Sequence, residues 1–192
     1  MALLWLCLTL ILLALLVFVW AMCAAAGAAD AAWEPMEDAP APTPEPVRVV
    51  YPCIPLADGF TDYMANICRE YGVELPLVLA VIAIESNFEA DLVADNGQSY
   101  GLMQIQPQWH RERMERLGVT DLLDPAQNVR VGIDYLSELM DLGKGEEYAV
   151  MFYNGGEIHA NAFFKRGEMS HYCEKVMRMR DCIRDAALVV VA

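Results

Sequence analysis

"PLVLAVIAIES", residues 76–86, is apolar on every side until it reaches a glutamate. Leu77, Val78, Leu79, Val81, Ile82, Ala83 and Ile84 leave no polar stripe, so the run predicts a helix enclosed on all faces. Pro76 suits the first turn, where its missing N–H would have had no partner. Glu85 then stands at the carboxyl end of the helix. Enclosure raises a carboxyl pKa, and the negative end of the helix dipole pushes the same way. A carboxyl kept protonated near neutral pH can serve as a general acid. Taken alone, the stretch favours a plainer reading, a frayed helix end with Glu85 in water. The decision falls to the rest of the chain.

Outward from this helix the pattern stays helical. Phe60, Tyr63, Met64, Ile67, Cys68 and Tyr71 recur at spacings of mostly three and four, between an Asp58 cap and Gly72. "EADLVADNGQSYG", residues 89–101, reads as a loop with a turn at Asn96-Gly97. Pro107 opens a short charged helix that stops at Gly118. "DPAQNVRVGIDYLSELMDLG", residues 124–143, has Asp124 as cap, Pro125 in the first turn and Gly143 at the stop. Its inward stripe is Val129, Gly132, Ile133, Leu136, Leu139 and Met140. "EEYAVMFYNGG", residues 146–156, predicts a short helix running into a loop, and residues 169–186 predict the last helix. No strand alternation, internal repeat or nucleotide-binding glycine pattern stands out. The expected class is all-α, with one domain over residues 56–186.

Upstream the chain changes character. Residues 1–29 carry no charge, and residues 2–29 are apolar except for Thr9 and Gly27, long enough to span a bilayer, which takes about 20 residues. The basic start of a signal peptide is missing, since the first basic residue is Arg48, although "AMCAAAGAAD" offers cleavage sites. The expectation is an export segment, a membrane anchor in preference to a cleaved signal. Cys23 is a poor lipidation site after Trp20 and Met22. Residues 30–55 form a proline-rich spacer: seven of the ten prolines lie between 35 and 55, and five acids with no base lie between 30 and 46. The net charge is −14, of which residues 30–46 hold −5, leaving −9 for residues 47–192. That acidity argues against nucleic acid or another polyanion as partner. Residues 187–192 are a short apolar tail, either a last turn of packing or a loose end.

Cys7 and Cys23 fall in the leader, while Cys53, Cys68, Cys173 and Cys182 follow it, where disulfides can form. Nine residues of helix would put Cys173 and Cys182 on opposite faces, so they cannot pair with each other. Crosslinks from Cys53 or Cys68 to Cys173 or Cys182 remain open, as do free buried thiols, above all at Cys68. With no C-x-x-C and with His110, His159 and His171 scattered, neither zinc nor any cofactor is expected.

Glu85-Ser86 closes the apolar helix, Gly101-Leu102-Met103-Gln104 follows, and Tyr153-Asn154 comes much later at a helix-to-loop junction. Singly each has a dull explanation in local packing or a helix stop. Together and in this order they resemble the lytic transglycosylase domain of the soluble-lytic-transglycosylase type, which has a lysozyme-like fold. The stretch "DPAQNVRVGIDYL" also looks like that family's segment before its Tyr-Asn helix, and the resemblance covers about residues 58–180. "DNGQSY" before Gly101, and Met151-Phe152 before Tyr153, depart from the small residues usual there.

The resemblance implies a monomeric, extracytoplasmic enzyme of the cell envelope, membrane-anchored or secreted. It would act on peptidoglycan glycan strands at the β-1,4 bond between N-acetylmuramic acid and N-acetylglucosamine, leaving a 1,6-anhydromuramic end. Glu85 would be the single catalytic acid/base. Tyr153 would orient Glu85 and the substrate's acetamido group, Gln104 would contact sugar, and Met103 would line the groove. Ser86 and Asn154 would brace the site, and Tyr172 matches a tyrosine often found late in the family. Glu85 is expected to be the only carboxyl buried by its sequence context. Two other readings stand beside this one. Glu89, Asp91 or Asp95 would position a water in a goose-type hydrolase of the same bond. Alternatively, the domain would bind cell-wall glycan without cutting it.

Overall fold

Six helices and four short strands make up residues 47–191, the part of the chain that the computed structural model describes. In chain order they are β1 (Val47–Val50), α1 (Asp58–Tyr71), α2 (Leu75–Glu85), β2 (Val93–Ala94), β3 (Ser99–Tyr100), α3 (Pro107–Leu117), α4 (Pro125–Met140), α5 (Glu146–Phe164), α6 (His171–Asp185) and β4 (Leu188–Val191). The leader, with Cys7 and Cys23, and most of the proline-rich spacer lie outside the described residues. Among the described residues no helix is long and apolar enough to cross a membrane.

The enclosed helix is where the sequence puts it. Leu77 to Ile82 of α2 have no exposed surface at all. Such a helix needs neighbours on every side, and α6 covers it most extensively. The α1 stripe of Met64, Ile67 and Cys68 and the α4 stripe of Val129, Ile133, Leu136 and Leu139 join the same core. The Asp124 carboxylate accepts from Gln127 N at 2.9 Å and caps α4, and the Ser170 hydroxyl accepts from Cys173 N at 3.3 Å and caps α6. Asp58 is not a cap: Ala57 takes that position without a side-chain bond, and Asp58 sits in the first turn facing Arg48.

Three features differ from the sequence reading, and a fourth selects between two alternatives it left open. First, "VRVV" from the end of the spacer and "LVVV" from the tail pair as antiparallel β1 and β4, with Val47 opposite Val191 and Val50 opposite Leu188. Spacer and tail therefore each give a strand to the folded unit. Second, β2 and β3 form a two-residue hairpin around Asn96-Gly97, too short to leave an alternation in sequence. Third, α5 continues past Gly156, where φ is +72°, a value glycine adopts freely, and resumes to Phe164. The second half is held by the Tyr148 hydroxyl, which donates to Asn161 Oδ1 at 3.1 Å, and by Phe164 edge-on to Tyr148. Fourth, Cys53, Cys68, Cys173 and Cys182 are all free. Cys68 and Cys173 point into the core, where burial pushes both thiols up to about 12, while Cys182 on the other face of α6 and Cys53 are exposed.

Candidate active site

Three sequence motifs converge on one tight loop, Gly101 to Gln104. The loop is closed by Tyr100 and Ile105, whose backbones exchange two hydrogen bonds of 3.0 Å. Gly101 is required twice over: φ is +69°, and a Cβ would lie 2.4 Å from Asn128 Nδ2 and 2.6 Å from Leu122 O. Leu102 and Met103 are fully buried anchors. Met103 packs on Gly132, where a Cβ would meet its sulfur at 2.3 Å, so it belongs to the core and does not line the groove as expected. Gln104 takes a left-handed φ of +46°, and its Nε2 donates to Gly101 O at 2.9 Å and Leu92 O at 3.2 Å. Its side chain thus turns the loop back on itself beside the cleft.

Neighbouring elements hold this loop through its backbone. The Ser86 hydroxyl, just past the end of α2, donates to Leu102 O at 2.8 Å. The Tyr153 hydroxyl, from α5, donates to Met103 O at 2.7 Å. Asn128, fully buried on α4, accepts from Met103 N at 2.8 Å and donates to Tyr100 O and Leu122 O at 2.7 and 2.8 Å. A buried amide with three backbone partners is a strong local specifier, since each would be costly to leave unpaired. The sequence reading passed over Asn128. Its signal was a polar residue beside the apolar stripe of α4.

A cleft of about 680 Å³ opens against the loop, with Glu85, Gln104, Tyr153 and Asn154 on its walls. Glu85 is half-buried at the end of α2, and the Tyr172 hydroxyl of α6 donates to its Oε1 at 2.6 Å. Burial raises the Glu85 pKa, the Tyr172 hydrogen bond opposes that rise, and the charge of Asp95 adds to it. The Tyr172 and Tyr153 hydroxyls are themselves pushed well above the ordinary phenol value, first by burial and then by the Glu85 charge, so both remain protonated donors. Asn154 is exposed on the cleft wall and has no side-chain hydrogen bond among the described residues. Of the loop carboxylates, Asp95 shares the cleft wall with Glu85 and accepts from the Ser99 hydroxyl, while Glu89 and Asp91 lie elsewhere.

The expectation of a single buried carboxyl needs correcting, because Asp134 on α4 is 6% exposed. It is paired, however: Arg113 Nε reaches Oδ1 at 2.7 Å and Arg116 Nη2 reaches the same oxygen at 2.6 Å. Burial pushes the Asp134 carboxyl up, but the Arg116 and Arg113 hydrogen bonds outweigh it and hold it below the usual carboxylate range. Glu85 has no cationic partner among the described residues, so the half-buried Glu85 and the buried Asp134 are pushed in opposite directions. Arg113 also donates to His110 Nδ1 at 2.6 Å, and His110 stacks edge-on to Tyr135 on the cleft wall. Burial and the Arg113 charge lower His110 to about 4, so its ring is neutral at physiological pH.

An all-α domain with one enclosed helix ending in a glutamate at a cleft defines a lysozyme-like class of fold. Residues 62–171 match the family described as the transglycosylase SLT domain, and the chain belongs to that family. A transglycosylase of Enterobacteria phage PRD1 is 33% identical over 92 residues, 48% of this chain and 33% of that protein. An endo-type membrane-bound lytic murein transglycosylase A of Klebsiella pneumoniae is 37% identical over 76 residues, 36% of this chain and 37% of that protein. Among solved structures, an inactive mutant of the lytic transglycosylase Slt from Pseudomonas aeruginosa superposes with a TM-score of 0.51 at 22% identity, over 69% of this chain and 23% of that one. The 70 kDa soluble lytic transglycosylase of Escherichia coli gives a TM-score of 0.50 at 20% identity over the same shares. The likeness to these two is one of fold, and the chain spans 33% to 37% of the curated relatives it matches.

Proposed function

We propose that this chain is a peptidoglycan lytic transglycosylase of the cell envelope that uses Glu85 as its single acid and base. The observation that carries the reading is the environment of Glu85: a carboxyl with a raised pKa, oriented by the Tyr172 hydroxyl at 2.6 Å, at the wall of a cleft large enough for sugar rings. The Glu85 proton passes to the glycosidic oxygen between N-acetylmuramic acid and N-acetylglucosamine as the C1–O bond breaks. The substrate's own acetamido group carries the developing positive charge. The Glu85 carboxylate then takes the proton of the muramic 6-hydroxyl, whose oxygen bonds to C1 and closes the 1,6-anhydro ring. Glu85 ends protonated and no water is consumed. Tyr172 holds Glu85 in this scheme, whereas Tyr153 and Ser86 act on the shape of the cleft through the carbonyls of Met103 and Leu102.

Asp95 supports a second reading. It is the one other carboxylate on the cleft wall among the described residues, and held by Ser99 it would orient a water for hydrolysis. Digestion of purified peptidoglycan with the full chain separates the two by mass. Products lighter by one water, with 1,6-anhydro ends, support the transglycosylase; reducing ends overturn it in favour of Asp95-assisted hydrolysis. Glu85→Gln should retain binding to cell-wall material and release nothing.

A further inference from the structure

At the start of α3 two residues that the sequence reading left unassigned stand on the wall of the same cleft: Trp109 and His110. Trp109 is 75% exposed, the most exposed of the Trp, Tyr and Phe rings among the described residues, in a domain that encloses most of its large apolar groups. It is not loose. Its Nε1–H donates to Gln106 Oε1 at 3.1 Å, Gln106 Nε2 donates to Ser99 Oγ at 3.0 Å, and the Ser99 hydroxyl donates to Asp95. All donors in this chain point one way and end on a carboxylate, so the edge of the indole is fixed while most of the ring stays uncovered. His110 is fixed in a complementary manner. An arginine can only donate, so Arg113 at Nδ1 forces the tautomer with hydrogen on Nε2. That Nε2–H has no partner among the described residues, yet it is not one of the enclosed, unpaired atoms; His159 Nε2 is the atom in that condition. It is therefore open to solvent, on a ring that lines this cleft and the one beside it. A break in α3, with His110 at φ −122° and ψ 17°, falls at this pair. Trp109, His110 and Tyr135 also line a second cleft, so the pair stands where the two meet.

We infer that Trp109 and His110 form a sugar subsite away from Glu85, the indole face stacking on the apolar face of an N-acetylhexosamine ring and His110 Nε2–H donating to one of its oxygens. The inference rests on the glycan-cutting reading of the cleft but concerns binding, which is measured apart from turnover. An exposed apolar face with a fixed polar donor beside it matches a pyranose, which offers C–H groups on one side and oxygens around its rim. The glycan would then continue over Trp109 toward the second cleft.

The probe is a soluble N-acetylglucosamine tetramer titrated into the full chain, followed by tryptophan fluorescence and by calorimetry. The parent is expected to bind with a fluorescence change. The change should vanish in Trp109→Phe, which keeps Trp5, Trp20 and Trp33, while that variant retains part of the affinity. Trp109→Ala should bind roughly tenfold more weakly, the loss of a covered aromatic face. His110→Phe, which keeps a ring against Tyr135 but lacks the donor, should lose about three- to tenfold. Trp109→Ala binding within a factor of two of the parent would overturn the stacking, and unchanged binding by His110→Phe would overturn the donor. A parent that cuts peptidoglycan but shows no Trp109-dependent binding overturns the subsite and leaves the proposed activity standing. A parent that binds through Trp109 but cuts nothing does the reverse.

Discussion

Replacing Tyr172 with phenylalanine removes one oxygen and keeps the ring that packs on the core. The lost bond is the 2.6 Å donation to Glu85 Oε1. Hydrogen bonds to charged groups contribute about 1.5–3 kcal/mol. Expressed wholly in the barrier, at 1.36 kcal/mol per decade, that is a fall in kcat of roughly ten- to hundredfold with little change in KM. The pH profile supplies an independent sign. Tyr172 favours the charged form of Glu85 and so opposes the rise caused by burial. Without it, Glu85 holds its proton to higher pH, and the alkaline limb of the rate profile, where the acid is lost, moves up. The assay is the initial rate of soluble muropeptide release from purified peptidoglycan across a series of buffers, with thermal melting as the control for folding. A variant that melts like the parent but keeps kcat within twofold, or whose alkaline limb moves down, would refute the role given to this hydroxyl.

Three further perturbations test the architecture around it. Because the folded-state pKa of Glu85 is raised, stability is lost as pH climbs from the ordinary carboxyl range through the raised value; Glu85→Gln should therefore melt above the parent at neutral pH and alike in strong acid, and a parent that melts higher at neutral pH would contradict this. Asn128→Ala strands Met103 N, Tyr100 O and Leu122 O, at a cost of about 3 kcal/mol or more in urea unfolding; a cost below 1 kcal/mol would mean the loop does not depend on the amide. Asp134→Asn breaks a buried pair shared by two arginines and should cost about 3–5 kcal/mol at neutral pH. The lowered Asp134 pKa means the parent gives up that advantage as pH falls through it, so the two curves should converge in acid, and parallel curves would exclude the pair as their cause.

The parts of the molecule legible in sequence are those set by local chemistry. An unbroken apolar run too short to span a bilayer reads as a central element, and Asp124 followed by Pro125 announces a helix start. What escaped depends on partners far along the chain. "VRVV" and "LVVV" are too short to show alternation, and each is a strand only because the other, about 140 residues away, completes its hydrogen bonds. Tyr172 carried little signal within the charged segment "HYCEKV", because its importance comes from meeting Glu85 across 87 residues. The family resemblance implied a groove role for Met103, yet Gly132 leaves a hole on α4 that its sulfur fills. Asp134 is buried only because α3, about 20 residues earlier, supplies Arg113 and Arg116 to pair with it. Trp109 lies in a stretch charged on most faces, where exposure is the default and hides a fixed orientation.

The pairing of Val47 with Val191 also makes the folded unit almost a closed ring of chain. Neighbouring strands run about 4.8 Å apart, so a linker of only a few residues would join those two positions without disturbing the helices. New ends could then be opened in the exposed turn at Gly143, Lys144 and Gly145, far along the chain from Glu85 and its loop. By the same geometry the unit can be carried as a guest within a surface loop of another protein, entering and leaving through a gap scarcely wider than one strand spacing.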